Sequence, residues 1–355
     1  MIHLYRILIA NFFFASHFRF YIHSHVWKSV AIESVRKLIL DCFRSRARAT
    51  VKRYIKEIVL FLQFQSQRGL SGVLPATIVH LCLYLSFLLG KQNVSAASMA
   101  YAALKWVHGI LPLPQNPLDA DICRNMVEVE KRSRTSPVVK KEPVSVELIK
   151  DIVRKYGHID ATLKDLRLAT MCVLSFAGLF RAKELLNIRV RDIMWFDDHF
   201  VINVPESKMD FYRQGQQVFI ARSNAETCPG VLINRYLAKA NILLNDSEVH
   251  LFRNLVYLKS VDSYTLGKRV LSYTRFRENF KECLKESGYD EKLYGLHSFR
   301  AGGATTIAKS LTAPNKERLL KLHERWKTDI SKDMYIKEAK VERLMVPKAW
   351  VYECK

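Results

Sequence analysis

Glycine and proline are scarce in this sequence. The 355 residues include only 13 Gly and 10 Pro, which excludes a collagen-like or low-complexity filament. Hydrophobic residues make up 49% of the chain, and this content is too high for an intrinsically disordered protein. At roughly 150 residues per domain, the length predicts about two folded domains.

The cysteines lack the spacing of a zinc site or of a disulfide framework. Seven cysteines are spread along the chain, and none forms a Cys-x-x-Cys pair. Zinc sites and small disulfide-bonded scaffolds both depend on closely spaced cysteines. We therefore predict reduced thiols in an intracellular protein without a metal site.

Long hydrophobic runs are missing as well. Residues 7–15 are apolar and follow Arg6, which is the order found in a signal peptide, but the run is too short to cross a bilayer as a helix. A targeting segment and an additional segment outside the main fold are both possible interpretations. We favour the second for residues 1–33.

Acidic residues are few compared with basic ones. The sequence has 34 Asp and Glu against 56 Lys and Arg, for a net charge of +22. Such an excess on a foldable chain predicts a polyanionic partner, and we expect nucleic acid rather than a membrane surface. Two basic clusters are candidate phosphate contacts, although each could also be a solvated face. They are Arg44, Arg46, Arg48, Lys52 and Arg53, and Arg132, Arg134, Lys140 and Lys141.

Apolar spacing predicts a mainly α-helical protein with a small antiparallel β-sheet. Residues 34–132 contain four or five short helical patterns that end at Gly or Pro, which indicates a helical bundle. Residues 133–144 are basic, contain two prolines and lack periodicity, as is typical of a linker. From residue 145 a mixed α+β domain is expected, with three short strands between 190 and 222 and mostly helix from 230 to the end.

A set of six residues in a fixed order carries the predicted chemistry. It begins with an arginine at a turn after an apolar helix and continues with a lysine in the loop between two predicted strands. A His-x-x-Arg motif and a tryptophan nine residues before a tyrosine complete it. Each residue alone would more often be an ordinary core or surface residue, so the prediction depends on order and spacing together. The six are Arg181, Lys208, His297, Arg300, Trp326 and Tyr335.

This set resembles the catalytic residues of the tyrosine recombinases, the phage-integrase-like family. The segment His-Ser-Phe-Arg-Ala-Gly-Gly-Ala-Thr at 297–305 and the segment Arg-Trp-Lys at 325–327 are similar to those of eukaryotic, mobile-element-related members. The resemblance implies a helical DNA-binding domain at 34–132 and a catalytic domain at 145–355. It also implies double-stranded DNA as substrate, a dimer on each site, a tetrameric synapse and, in a eukaryote, a nuclear location.

The resemblance assigns a role to each residue of the set. Arg181 and Arg300 would bind the non-bridging oxygens of the scissile phosphate and so take the place of a metal ion. Tyr335 would attack the phosphorus and form a phosphotyrosyl bond, while Lys208 would protonate the departing 5′ oxygen. Because the covalent bond conserves the phosphodiester energy, we expect neither ATP nor another cofactor.

The other two residues of the set, and two residues outside it, also have assigned roles. His297 would be a general base or a phosphate ligand, and Trp326 would pack under the phosphate and donate its indole N–H. His323 competes for the Trp326 role, although its spacing to Tyr335 fits less well. By the same resemblance, Glu184 would orient the loop that carries the first arginine.

Two departures from the family pattern leave other functions open. Phe180 separates Leu179 from Arg181, where many members have Gly-Leu-Arg, and Glu324 stands where we expect glycine. A catalytically silent, mobile-element-derived DNA-binding protein is the main alternative. A type IB topoisomerase, which shares the chemistry, is weaker. A basic RNA-binding protein is weaker still, because no aromatic-rich RNA-reading motif is present.

Overall fold

The computed structural model describes residues 25–70, 74–91, 95–111, 113–132, 140–204, 215–243, 246–310 and 312–325. The chain divides into two units, residues 1–138 and 139–355. Their described elements are mostly helices, accompanied by two small antiparallel sheets. The predicted fold class is therefore confirmed. No helix within the described ranges is long and apolar enough to cross a membrane.

The described part of the first unit is a bundle of five α-helices. Residues 1–24 lie outside the described part, and the predicted boundary between residues 33 and 34 falls inside the first helix. A short 3-10 helix, Pro117–Asp119, precedes the last one. The helices are α1 His25–Arg44, α2 Arg48–Gln67, α3 Ile78–Gly90, α4 Ala96–Ile110 and α5 Asp121–Arg132.

Apolar stripes at helical spacing build the core of this unit. Phe61 and Phe64 of α2 are three residues apart, and both rings contact Tyr84 of α3 at centroid distances of 5.2 and 5.0 Å. Helix α4 buries the small side chains of Ala97, Ala100 and Ala103. Because residues three apart share one face of a helix, these alanines let α4 approach its neighbours closely.

The second unit is built around one buried helix, α7, Leu163–Ala177. Its side chains from Leu166 to Ser175 are all buried, so helices pack on more than one of its faces. The sequence predicted this helix over 164–180, but it stops at Ala177 because Leu179 has a left-handed φ of 49°, through which a right-handed helix cannot continue. The other helices are α6 Val146–Tyr156, α8 Ala182–Asn187, α9 Pro229–Lys239, α10 Tyr273–Glu286, α11 His297–Ser310 and α12 Lys316–Glu324.

A three-stranded antiparallel sheet lies in the second unit, as the sequence predicted. Its strands are β1 Ile193–Trp195, β2 His199–Val204 and β3 Gln216–Ala221, paired in that order. Ile193 pairs with Ile202, and Phe200 pairs with Ile220. These paired side chains are buried in the core, which fixes the register of the sheet.

The prediction of mostly helix beyond residue 230 is wrong for residues 253–270. Strands β4 Arg253–Leu258 and β5 Ser263–Val270 form an antiparallel hairpin there. The outer half of the hairpin exposes Val256, Tyr257 and Leu258 in succession. Apolar side chains therefore occupy both faces, and the alternation that identifies a half-buried strand is missing.

Candidate active site

A strained turn between α7 and α8 organises the site. Leu179 has a φ of 49°, a left-handed conformation that costs a residue with a Cβ atom about 1–2 kcal/mol. Phe180 is buried, and a Cβ atom at Gly178 would lie 2.1 Å from its ring. The absence of a side chain at Gly178 therefore leaves the space that the Phe180 ring occupies. The turn directs the Leu179 carbonyl into the protein, where two arginines bind it.

Arg181 and Glu184 are held together at the start of α8. The Arg181 backbone N–H donates to Glu184 Oε2 at 3.0 Å, and its Nη1 donates to Glu184 Oε1 at 2.6 Å. The Glu184 side chain is 3% exposed and the Arg181 side chain 16%. An acidic residue in the first turn of a helix satisfies a free backbone N–H group, which fixes the conformation of the turn.

Arg325 is the site residue that the sequence analysis missed. It follows α12 with a φ of 61°, and its buried Nη2 donates to Glu184 Oε2 at 3.0 Å and to the Leu179 carbonyl at 3.1 Å. Burial acts to raise the pKa of Glu184, but the charges of Arg325 and Arg181 outweigh it and lower that pKa. Glu184 is therefore an ionised carboxylate between two arginines.

Arg300 reaches the same turn from α11. Its side chain is fully buried, and its Nη1 and Nη2 donate to the carbonyls of Leu179 and Glu324. The Glu324 carboxylate lies 3.3 Å from Nη2 of this arginine. Burial raises the pKa of Glu324 to about 8 and lowers the pKa of Arg300 to about 10. Below pH 8 the cluster thus carries three guanidinium charges against one ionised carboxylate, an environment suited to an anion.

Two glycines let α11 approach the turn. A Cβ atom at Gly302 would lie 2.0 Å from the Val144 carbonyl oxygen, and one at Gly303 would lie 2.3 Å from both the Phe176 carbonyl oxygen and Leu179 Cδ2. Any larger residue would push the helix away. The small residues after Arg300 therefore position its guanidinium group on the turn.

The two histidines of the predicted set differ in their surroundings. His297 is the first residue of α11 and is exposed. His323 lies on α12, and its Nε2 donates to the Ala177 carbonyl at 2.9 Å. Burial lowers the pKa of His323, with a further lowering by Arg325 and Arg300. Burial and the two arginines thus favour a neutral His323, although its hydrogen bond to the Ala177 carbonyl acts to raise the pKa.

Half of the predicted catalytic set falls outside the described residues: Lys208, Trp326 and Tyr335. Arg134 lies outside them too. Of the predicted catalytic and supporting residues, the structure brings Arg181, Arg300 and Glu184 together. The role assigned to each predicted residue stays a prediction. Among the described residues, no group of three His, Cys, Asp or Glu side chains is arranged to hold a metal ion.

The remaining basic candidates are all exposed. Five of them lie at the end of α1 and the start of α2, where Arg44 Nη1 is 3.4 Å from an Asp41 carboxylate oxygen. In the second unit, the Lys141 Nζ donates to the Lys292 carbonyl. The exposed candidates are Arg44, Arg46, Arg48, Lys52, Arg53, Arg132, Lys140 and Lys141.

No protein-family model matches the sequence. A protein of Selenomonas ruminantium described as an integrase/recombinase XerD homolog is 24% identical over 289 residues, which cover 79% of this chain and 81% of that protein.

Solved structures of recombinases share the fold. The XerH site-specific recombinase bound to palindromic difH substrate has a TM-score of 0.61 at 13% identity, over 99% of this chain and 95% of that one. A lambda integrase dimer bound to a COC′ core site has a TM-score of 0.51 at 14% identity, over 89% of this chain and 82% of that one. The chain is thus similar in sequence to an integrase/recombinase XerD homolog and similar in fold to solved recombinases and integrases.

Proposed function

We propose that this protein is a site-specific DNA recombinase that cleaves and rejoins double-stranded DNA through a phosphotyrosyl intermediate. The observation that carries the proposal is a cluster of three arginines, in which Arg181 and Arg325 share Glu184 while Arg300 and Arg325 share the Leu179 carbonyl. Arginine groups held in place before the substrate binds can stabilise a phosphate that gains charge in the transition state, without reorganising during the reaction. The XerD homolog and the recombinase folds support the same class of reaction.

The proposed cleavage step exchanges one phosphate ester for another. Tyr335 loses its hydroxyl proton to His297 as the general base, and its oxygen attacks the phosphorus. The bond to the 5′ oxygen breaks, and Lys208 donates a proton to that oxygen. Arg181 and Arg300 neutralise the non-bridging oxygens, assisted by His297 and Trp326. Rejoining is the reverse reaction with a 5′ hydroxyl as nucleophile, so no cofactor or energy source is consumed.

The proposed partner is DNA, bound by two protomers on each site and by four in a synapse. The net charge of +22 and the exposed basic residues at 44–53 support strong contacts with phosphates. The lambda integrase on its core site is a dimer. We also propose a eukaryotic, mobile-element-related origin, which the resemblance of the segments at 297–305 and 325–327 supports. Action in the nucleus would follow from a DNA substrate in a eukaryote.

Covalent trapping tests the nucleophile. Nicked duplexes made from the genomic sequence on either side of the gene are incubated with the protein, and adducts are separated after denaturation. The wild type and Tyr352→Phe, a control on a second tyrosine of the C-terminal segment, should form an adduct, whereas Tyr335→Phe should bind the DNA without forming one. An adduct with Tyr335→Phe would reject that residue as the nucleophile.

A catalytically silent DNA-binding protein is the second candidate. The observation that favours it is the full burial of Arg300, whose Nη1 and Nη2 already donate to the carbonyls of Leu179 and Glu324. Binding that weakens steeply with salt, together with no adduct from the wild type on any duplex tested, would favour this alternative.

A further inference from the structure

Two cysteine thiols are in contact between α3 and α5 of the first unit. Cys82 Sγ lies 3.6 Å from Cys123 Sγ, although 41 residues separate the two positions in sequence. Both belong to the core of the helical bundle, where Cys123 is fully buried and Cys82 is half-buried. One thiol can therefore meet a reagent from solvent, and the other can be reached only through its neighbour.

The surroundings give the two thiols different reactivity. Burial and the hydrogen bond with Cys82 raise the pKa of the Cys123 thiol to about 12. Since a thiolate is the nucleophile in thiol–disulfide exchange, the more exposed Cys82 is the one that reacts first. Cys123 then acts as the resolving thiol, already in contact with the sulfur that it must attack.

We propose that Cys82 and Cys123 are a redox-sensitive pair that forms a reversible intramolecular disulfide with a disulfide oxidant such as oxidised glutathione. The Cys82 thiolate attacks one sulfur of the oxidant, forms a mixed disulfide and releases one glutathione thiolate. Cys123 attacks the Cys82 sulfur, and its proton leaves with the second glutathione, which is released as a thiol. Two protein thiols are oxidised, and one oxidant disulfide is reduced to two thiols.

The disulfide would close a loop that contains α4 and tie α3 to α5. A covalent link of this kind restricts the unfolded chain more than the folded one, so it stabilises the fold. Helix α5 ends at Arg132, one of the predicted DNA contacts, and oxidation would fix the position of this helix in its own unit. The inference does not depend on recombinase activity, because it concerns only the two thiols and their contact.

Oxidation of the full-length folded protein tests the pair. The reduced chain is incubated with oxidised glutathione, the remaining thiols are alkylated, and non-reduced peptides are analysed by mass spectrometry. We expect a Cys82–Cys123 cross-linked peptide and a fall from seven free thiols to five. A stable glutathione adduct on Cys82, a link from Cys82 to another cysteine, or an unreacted Cys82 would each overturn the proposal.

Cysteine-to-serine variants, and thermal unfolding before and after oxidation, provide the controls. Cys42, on α1, is also half-buried, so Cys42→Ser should retain the cross-link, whereas Cys82→Ser should abolish it and leave Cys123 reduced. Oxidation should raise the midpoint of thermal unfolding of the wild type and of Cys42→Ser, but not that of Cys82→Ser. If Cys82→Ser does not fold, Cys82→Ala gives the same comparison. An equal rise with Cys82 replaced would contradict the proposal.

Discussion

Glu184 and Glu324 are two buried glutamates of one arginine cluster, yet their carboxyl groups behave in opposite ways. Their side chains are 3% and 0% exposed. The Glu184 oxygens accept hydrogen bonds from Arg181 and Arg325, and its pKa is lowered. The Glu324 oxygens accept none from the described residues, and burial raises its pKa to about 8. The charges of two arginines, which also donate to its oxygens, keep Glu184 ionised, whereas the charge of Arg300 does not overcome the burial of Glu324.

The positions of the two residues in their helices explain the difference. Glu184 is in the first turn of α8, where backbone N–H groups point towards it and the helix dipole favours a negative charge. Glu324 is the last residue of α12, where carbonyl groups point outward and the dipole opposes an anion. The same side chain is therefore stabilised as an anion at one end of a helix and destabilised at the other.

Replacing Glu184, whose carboxylate accepts hydrogen bonds from two arginines, should have the largest effect on stability. Glu184→Ala would leave Arg181 and Arg325 without their shared carboxylate, and breaking a buried ion pair costs about 3–5 kcal/mol. Chemical denaturation measures this loss in the free energy of unfolding. Glu278→Ala is the control, because Glu278 pairs with Arg275 at the same three-residue spacing but on the surface. Similar losses in the two variants would contradict a structural role for the Glu184 network.

Replacing Glu324 by a neutral residue should stabilise the protein at high pH. The pKa of Glu324 is raised from 4.5 to about 8, so its stabilising contribution is complete below pH 4.5 and is lost as the pH rises through 8. We expect the free energy of unfolding of Glu324→Gln to match that of the wild type near pH 4.5 and to exceed it by several kcal/mol above pH 8. Denaturation at several pH values measures the difference.

The same pH series separates the two glutamates. The pKa of Glu184 is lowered, so the stability that it contributes is present above pH 4.5 and is lost as the pH falls through its folded-state pKa. With Glu324→Gln, the free energy of unfolding should still fall at acid pH, as it does in the wild type. With Glu184→Gln, it should still fall between pH 4.5 and 8. If Glu324→Gln were less stable than the wild type at pH 9, the assignment of a destabilising charge would be wrong.

A change beside Leu179, whose carbonyl accepts from both Arg300 and Arg325, should have the smallest effect on stability. The Leu179 carbonyl binds Arg300 from the Glu324 side and Arg325 from the Glu184 side. Gly303→Ala would place a methyl group against Leu179 and the Phe176 carbonyl, and overpacking of this kind costs about 1–3 kcal/mol. Gly90→Ala is the control, since nothing lies within 4 Å of its added Cβ atom. Equal denaturation midpoints for the two variants would disprove the close approach of α11.

Local patterns predicted much of the fold. Helix α3 was expected from the spacing of Ile78, Leu81 and Leu85 and ends at Gly90 as expected. The strand from Phe200 to Val204 does not alternate strictly between buried and exposed residues. Its β-branched residues and the polar turn before it were sufficient to predict a strand. Strands β4 and β5 were missed because Val256, Tyr257 and Leu258 are exposed on both faces of the hairpin.

The candidate site was predictable only where its contacts are local or follow a known order. Glu184 is three residues from Arg181, a spacing that brings the two together at the start of any helix. Arg325 lies 141 residues from Glu184, and no periodicity connects the two positions. Its place beside Trp326 in the Arg-Trp-Lys segment was the available signal, but that signal does not reveal the carboxylate that Arg325 binds.

The sequence by itself determined the helices, the three-stranded sheet and the order of the polar motif, because each depends on neighbours a few residues apart. Only the tertiary structure decided which acids are charged and which arginines share an acceptor. Those properties depend on burial and on the direction of donor groups. Helices α11 and α12, together with the turn at Leu179, supply these conditions when distant parts of the chain pack against one another.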